Sequence, residues 1–338
     1  MKKKLTAIIL AALSVLSLAA CAKAPAEATP TPDAASAAEP AAVAESYTVG
    51  ICQLIQHPAL DAATQGFQDK LTELLGDKVS FNLQNASGDV PTCATICNQL
   101  VSSGVDLIMA NATPALQSAM TATNSIPVLG TSITDYGTAL GVSDWTGVSG
   151  INVSGTSDLA PLDQQAAMIK ELFPDAKNVG ILYCSAEPNS KYQSDVITGY
   201  LTEMGYTCKE YTFSDSNDIQ SVTTAACADS DVIYVPTDNT AASNAGIIKN
   251  VCVPAGIPVV AGEEGICSGC GVATLCISYY DLGVATAEMA YEILVNGADP
   301  AAMEVRFAPS VTKEYNAEIC KTLNISIPEG YTAIETAD

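Results

Sequence analysis

Apolar runs that stop abruptly in hydrogen-bonding residues are the recurring pattern of this chain. Residues 231–240, DVIYVPTDNT, show it most clearly. Val232, Ile233, Tyr234 and Val235 predict a short buried strand, which breaks at Pro236 into Thr237, Asp238, Asn239 and Thr240 before an Ala-rich helix. Residues 106–114, DLIMANATP, do the same and end in Asn111 and Thr113. From the start of the ordered pattern, strands are expected at 47–55, 79–83, 106–110 and 126–130, with helices at 62–75, 92–103 and 113–124 between them. Residues 131–136 read as a polar loop. The series restarts after Asp158, with strands at 177–183, 207–211, 231–235 and 257–261 and helices at 191–204, 219–228 and 241–253. A helix at 279–296, a strand at 303–308 and a helix at 316–322 close the chain. Strands alternating with helices of this length imply βαβ units and parallel sheets.

The two halves repeat one another. Val49-Gly50-Ile51 matches Val179-Gly180-Ile181, Pro58 matches Pro188, and Leu71 matches Leu201, all 130 residues apart. Asp106 matches Asp231, and Ile126-Pro127-Val128 matches Ile257-Pro258-Val259. Two copies of one doubly wound α/β fold are therefore expected. Their strand-end loops would face each other across a cleft of the kind small ligands favour. Those loops carry Gln56 and His57, Asn111 and Thr113, and Thr131 and Ser132 in the first half. In the second they carry Glu187 and Asn189, Asp238 and Asn239, and Glu263 and Glu264.

Composition narrows the partners. A length of 338 residues suits two domains, and 48% hydrophobic with 15% charged residues suits a globular protein. A net charge of −23 with only 14 basic residues argues against a nucleic-acid partner, which needs clustered Lys and Arg. The N-terminus has the layout of a secretory signal, with Lys2 to Lys4 followed by an apolar run too short to span a membrane. Leu18-Ala19-Ala20-Cys21 resembles the bacterial lipobox, so residues 1–20 are expected to be removed and Cys21 lipidated. Residues 21–46, rich in Ala, Pro, Glu and Thr, read as a disordered tether. Of the other cysteines, Cys52, Cys184, Cys227, Cys252 and Cys276 sit in apolar runs as small core hydrophobes, and a Cys267–Cys270 disulfide stays open. With His57 the only histidine and no second CxxC, neither a metal nor a cofactor is expected. No nucleophile elbow, phosphate-binding loop or HExxH appears, which argues against an enzyme.

Six motifs in order then carry a family resemblance: HPALD (57–61), NATPALQSA (111–119), SGTSDLAP (154–161), EPNS (187–190), YVPTDNT (234–240) and SYYDLG (278–283). The chain resembles bacterial ABC-transporter substrate-binding lipoproteins of the type I periplasmic-binding-protein fold, in the group tied to uptake of tryptophan, tyrosine and phenylalanine. That resemblance implies three crossings between lobes, near Asp158, Ser278 and Pro309. Lobe 1 would hold 47–158 plus 279–308, and lobe 2 would hold 159–278 plus 309–338. It also implies a monomer outside the cytoplasm, anchored to the membrane by lipid, with a permease and ATPase complex as partners. Cys267, Cys270 and Cys276 depart from the expected pattern before SYYDLG.

An amino acid needs separate receptors for its carboxylate, ammonium and side chain. Thr113, Thr131 and Ser132 suit the carboxylate. Asp238, Glu187 and Glu263 are the candidate ammonium acceptors, although Asp238 and Asn239 also suit a helix cap. Asn189 and Asn239 would orient the ligand, and His57 or Gln56 would form a wall. Tyr279 and Tyr280 read as hinge packing. A nucleoside or sugar ligand on the same fold is the alternative, with the lone Trp145 lying outside the strand-end loops. So is a ligand-sensing receptor component.

Overall fold

The computed structural model describes residues 46–308 and 310–334. The leader, Cys21, the tether and the crossing expected at Pro309 lie outside the described residues. The first half forms β1 (Tyr47–Gln53), α1 (Pro58–Leu75), β2 (Val79–Asn85), α2 (Val90–Ser102), β3 (Leu107–Asn111), α3 (Thr113–Ala122), β4 (Val128–Ile133), α4 (Tyr136–Leu140) and β5 (Val153–Ser157). The second forms α5 (Leu162–Leu172), β6 (Asn178–Cys184), α6 (Pro188–Glu203), β7 (Thr207–Phe213), α7 (Ile219–Asp229), β8 (Val232–Val235), α8 (Asn239–Ser243), α9 (Ala245–Ala255), β9 (Val259–Ala261), α10 (Glu264–Cys270) and β10 (Ala273–Cys276). The chain then adds α11 (Tyr279–Leu294), β11 (Arg306–Phe307), β12 (Thr312–Tyr315), α12 (Ala317–Thr322) and β13 (Thr332–Ala333).

The strands make two sheets, ordered β2-β1-β3-β4-β5-β11 and β7-β6-β8-β9-β10-β12-β13. Every pairing is parallel except β10 with β12. The internal repeat becomes a shared register: Val49 lies between Phe81 and Leu107, and Val179 between Cys208 and Val232. Helices cover both faces, so β3 sends Leu107 and Met109 to one core and Ile108 and Ala110 to the other. β8 divides Val232 and Tyr234 from Ile233 and Val235 in the same way. This two-faced burial is why these strands read as continuous apolar runs.

The chain passes between the sheets three times. It leaves the first sheet after β5, returns after β10, and departs again between β11 and β12. On its return α11 packs on α1 through facing glycines. A Cβ on Gly283 would lie 2.0 Å from the Ala63 carbonyl oxygen, and one on Gly66 would lie 2.1 Å from that of Tyr280.

Three local expectations differ from the structure. α1 begins at Pro58 rather than 62, because a proline at the first helical position costs no hydrogen bond. β4 continues to Ile133, which puts Thr131 and Ser132 in the strand rather than a loop. β5 and α5 have no counterpart in the expected pattern. β5 is a run of Ser, Gly and Thr, buried because its hydroxyls are paired: Ser154 to the Met303 carbonyl, Thr156 to Thr131 and Thr286, and Ser157 to the Thr134 carbonyl. The Cys-rich segment folds as α10 and β10, with Cys267, Cys270 and Cys276 buried as free thiols.

Candidate functional site

Where the strand ends of both sheets meet the starts of α1 and α11, the chain encloses a cavity of about 10 Å³. That is about the space of one water. His57, Ser132, Asp158, Asn189, Thr237 and Tyr279 are among its lining residues, with Leu60, Thr134, Asp238, Asn239, Ala242 and Glu263 completing the wall. Two larger recesses flank it. One of about 630 Å³ lies beside the second crossing and shares Glu263 and Tyr279 with the inner cavity. The other, about 280 Å³, is bordered by Leu54, Ile55, Val90, Pro114 and Glu187 and shares Asn239.

Size does not decide which of these is the site; unmet hydrogen bonding does. Buried polar atoms are almost always paired. Yet His57 Nδ1, Ser132 Oγ, Asp158 Oδ1, Asn189 Oδ1 and Thr237 Oγ1 are buried without a partner, and all five belong to residues lining the small cavity. Neither larger recess has such an atom among its lining residues.

The chemistry of each atom follows from its neighbours. Asn239 donates its Nδ2 to Glu187 Oε2 at 2.7 Å, which turns its Oδ1 toward His57 Nε2 at 3.2 Å. Nε2 must then be the donor. Burial pushes the imidazole pKa down, so the ring is neutral and Nδ1 is an acceptor. This bond joins the loop after β1 to α8, and so links the layers of the two sheets. Asn189 spends its Nδ2 on Glu187, Ser190 and the Thr237 carbonyl, which leaves Oδ1 as an acceptor. Asp158 accepts the Tyr279 hydroxyl on Oδ2 at 2.9 Å, and its Oδ1 is free. The unmet set is therefore three acceptors and two hydroxyls.

Asp158 is the cavity-lining carboxylate with a free oxygen that sequence reasoning did not select. Each of the three acids expected to receive an ammonium has other work. Asp238 accepts from Cys184 N, Ser190 Oγ and Ala241 N, each at 2.7 Å, and caps α8. Glu187 accepts from Asn239 and Thr240, through main chain and side chain of both, at 2.7–3.0 Å and lies outside the inner cavity. Glu263 caps α10 through Gly265 N at 2.6 Å and Ile266 N. Asp158 stands at no strand end that the repeat predicts; in the sequence it belongs to the SGTSDLAP motif and marks a crossing.

The other expected residues divide. Ser132 lines the cavity with φ 56, a left-handed conformation that is uncommon for serine. Thr131 is buried and accepts from Thr156 at 3.2 Å, outside the cavity. Thr113 opens α3 with its hydroxyl buried and unpaired, but it does not line the cavity. Asn111 braces α1 through the Leu60 carbonyl and Thr64. Gln56 is exposed and absent from the wall. Tyr280 is exposed and borders the larger recess, whereas Tyr279 lines the cavity.

Burial raises all three carboxyl groups in the wall: Asp158 upward, Asp238 to about 8 with help from Glu187, and Glu263 to about 7. The folded protein thus holds protons that the unfolded chain has already released above about pH 4. Through these groups stability falls as pH rises from the ordinary carboxylate range toward 8, while the lowered His57 acts the other way below about pH 6.5. The melting temperature is expected to be higher near pH 5.5 than near pH 8.5. A scanning calorimetry series that rose with pH across this window would contradict protonated carboxyl groups in the wall.

Among the described residues, no helix is long and apolar enough to cross a membrane, and no group of His, Cys, Asp or Glu could hold a metal ion. Comparison with known proteins places this geometry in context. Residues 48–336 match the model of the family described as ABC transporter substrate binding protein. The tyrosine-binding protein of Clostridioides difficile (strain R20291) is 38% identical over 249 residues, which is 73% of this chain and 72% of that protein. The crystal structure of an ABC domain in complex with L-Trp from Streptococcus pneumonia is 34% identical, with a TM-score of 0.81 over 86% of this chain and 100% of the other. The ligand-free, open structure of a substrate binding protein with adhesive properties from Clostridium difficile is 35% identical with the same coverage, but its TM-score is 0.66. The arrangement of this chain is nearer to that of the L-Trp complex.

Proposed function

Because this chain belongs to the ABC transporter substrate-binding protein family, we propose that it captures a free aromatic α-amino acid in the cavity between its two sheets and presents it to a membrane permease. The set of unmet atoms around that cavity carries the reading. An ammonium group has three N–H donors and no acceptor, and the wall offers three lone acceptors, Asp158 Oδ1, Asn189 Oδ1 and His57 Nδ1. A carboxylate only accepts, and Ser132 and Thr237 offer two hydroxyl donors. The two halves of an amino acid backbone would satisfy all five.

Relatives support the aromatic side chain: one at 38% identity is named for tyrosine, and one at 34% holds L-Trp. Leu60 and the rings of His57 and Tyr279 supply faces suited to it. A cavity of about 10 Å³ cannot admit such a molecule as it stands. Uptake would therefore open the cleft by rotation about the three crossings, and ligand contacts from both sides would favour closure. In this reading lobe 1 comprises 47–158 with 279–308, and lobe 2 comprises 159–278 with 309–338. The mature protein would be a monomer outside the cytoplasm, lipidated on Cys21 and tethered by residues 22–46, and would dock on its permease and ATPase in the closed form.

Calorimetric titration of the unfolded and refolded domain tests this, with L-tyrosine, L-tryptophan, L-phenylalanine, L-leucine, adenosine and ribose as titrants. Saturable binding of an aromatic amino acid is expected. Binding of adenosine or ribose alone would keep the fold and discard the ligand class.

A further inference from the structure

We propose that Tyr279 is the positioning residue for the ligand's ammonium group: its hydroxyl holds one oxygen of Asp158 so that the other faces the cavity, which couples the bound ligand to two of the three crossings. The proposal rests on the reading of Asp158 as an ammonium acceptor and adds how that acceptor is aimed. Asp158 directly follows β5, at the first crossing, and Tyr279 is the first residue of α11, at the second. The two are 121 positions apart in sequence, yet the phenol donates to Oδ2 at 2.9 Å. Both are buried, at 5% and 7% exposure, and both line the cavity.

The partners on either side are fixed from outside the pair. The Asp158 amide donates to the Ile133 carbonyl at 3.1 Å, which sets its main chain on the end of β4. Ser278 caps α11 by accepting from Asp281 N at 3.2 Å, which sets the start of that helix. A carboxylate held at one oxygen has little freedom left, so Oδ1 is aimed before a ligand arrives. Pulling on that oxygen loads both crossings, because one ends at the carboxylate and the other at the phenol.

Around Asp158 the donors are hydroxyls, the Tyr279 phenol at 2.9 Å first and Thr134 second. Glu263 before α10 and Tyr136 on α4 both interact with its charge, and His57 before α1 lines the same cavity as a neutral ring. None of these brings a positive charge, and no Lys or Arg lines the cavity. Burial raises the Asp158 carboxyl, and the hydrogen bonds from Tyr279 and Thr134 oppose that rise. Without the phenol the carboxyl would take up its proton at higher pH.

The test is the pH profile of L-tyrosine affinity, measured by calorimetry from roughly pH 4.5 to pH 8, a range in which the ligand keeps its charged ammonium. Wild-type affinity is expected to weaken on the acid side as Asp158 is protonated, and Asp158→Asn should abolish that limb. In Tyr279→Phe the limb should move to higher pH, with affinity at neutral pH about tenfold weaker. A uniform loss of affinity with an unmoved limb is what a merely structural role would give, and it would overturn the proposal. Persistence of the limb in Asp158→Asn would overturn it too. If Tyr279→Phe does not fold, 3,5-difluorotyrosine placed at position 279 is a stronger donor and should move the limb to lower pH; no movement overturns the proposal. A wild-type protein that binds no aromatic amino acid removes the underlying reading and the proposal together, before any variant is compared.

Discussion

Asp158→Asn is expected to weaken binding of L-tyrosine by about 3 kcal/mol, the scale for removing one member of a buried charge-assisted contact. That is roughly a hundredfold in Kd. The melting temperature should stay level or rise. Asparagine keeps an acceptor for the Tyr279 hydroxyl, and it removes a carboxylate whose charged form burial disfavours. Asp238→Ala should behave in the opposite way. It strips partners from Cys184 N, Ser190 and Ala241 N, so the first loss should be of stability. Calorimetric titration paired with thermal melts separates the two. Equal affinity losses with unequal melts would return Asp238 to the ligand, and an unaffected Kd in Asp158→Asn would remove Asp158 from it.

Gly283→Ala should be strongly destabilising for a single-methyl change, at about 3 kcal/mol or more. The new Cβ would lie 2.0 Å from the Ala63 carbonyl oxygen and 2.9 Å from Phe67 N, and both are main chain that no rotamer change can clear. α1 and α11 would have to part along their length. Gly199→Ala in α6 is the matched control. Its Cβ would meet nothing within 4 Å and its φ is ordinary for a helix, so the substitution should add about 0.5–1 kcal/mol. Urea denaturation of the pair gives the comparison directly. Similar midpoints for the two variants would mean that α1 and α11 are not in this contact.

The fold is legible in the sequence because strands buried on both faces leave unbroken apolar runs, and because the chain says the same thing twice. Ile51 and Ile181 sit at equivalent places in β1 and β6, as their 130-residue spacing implies. β5 is not legible, since hydropathy cannot see that Ser154, Thr156 and Ser157 are buried with their hydroxyls paired. The site shows the same division. Strand-end logic alone selects His57, Ser132, Asn189, Asp238, Asn239 and Glu263, and all six line one cavity. Their roles are another matter. A capping aspartate and a free one look identical in sequence, and only the donors around Asp238 and the lone oxygen of Asp158 distinguish them. Tyr279 reads as packing because nothing local reports a phenol bonded to a residue 121 positions away.

The glycine contact between α1 and α11 also bears on how this kind of receptor can change its taste. His57 stands at the start of one helix and Tyr279 at the start of the other, and the helices touch through main chain. The separation of these two wall residues is thus a dimension of the backbone, independent of the side chains elsewhere on either helix. Substitutions across the outer surfaces of α1 and α11 can accumulate without altering that gauge. Divergence in ligand preference would then be channelled into the few side chains that project into the cavity, where one replacement changes the shape of the hole and leaves its frame untouched.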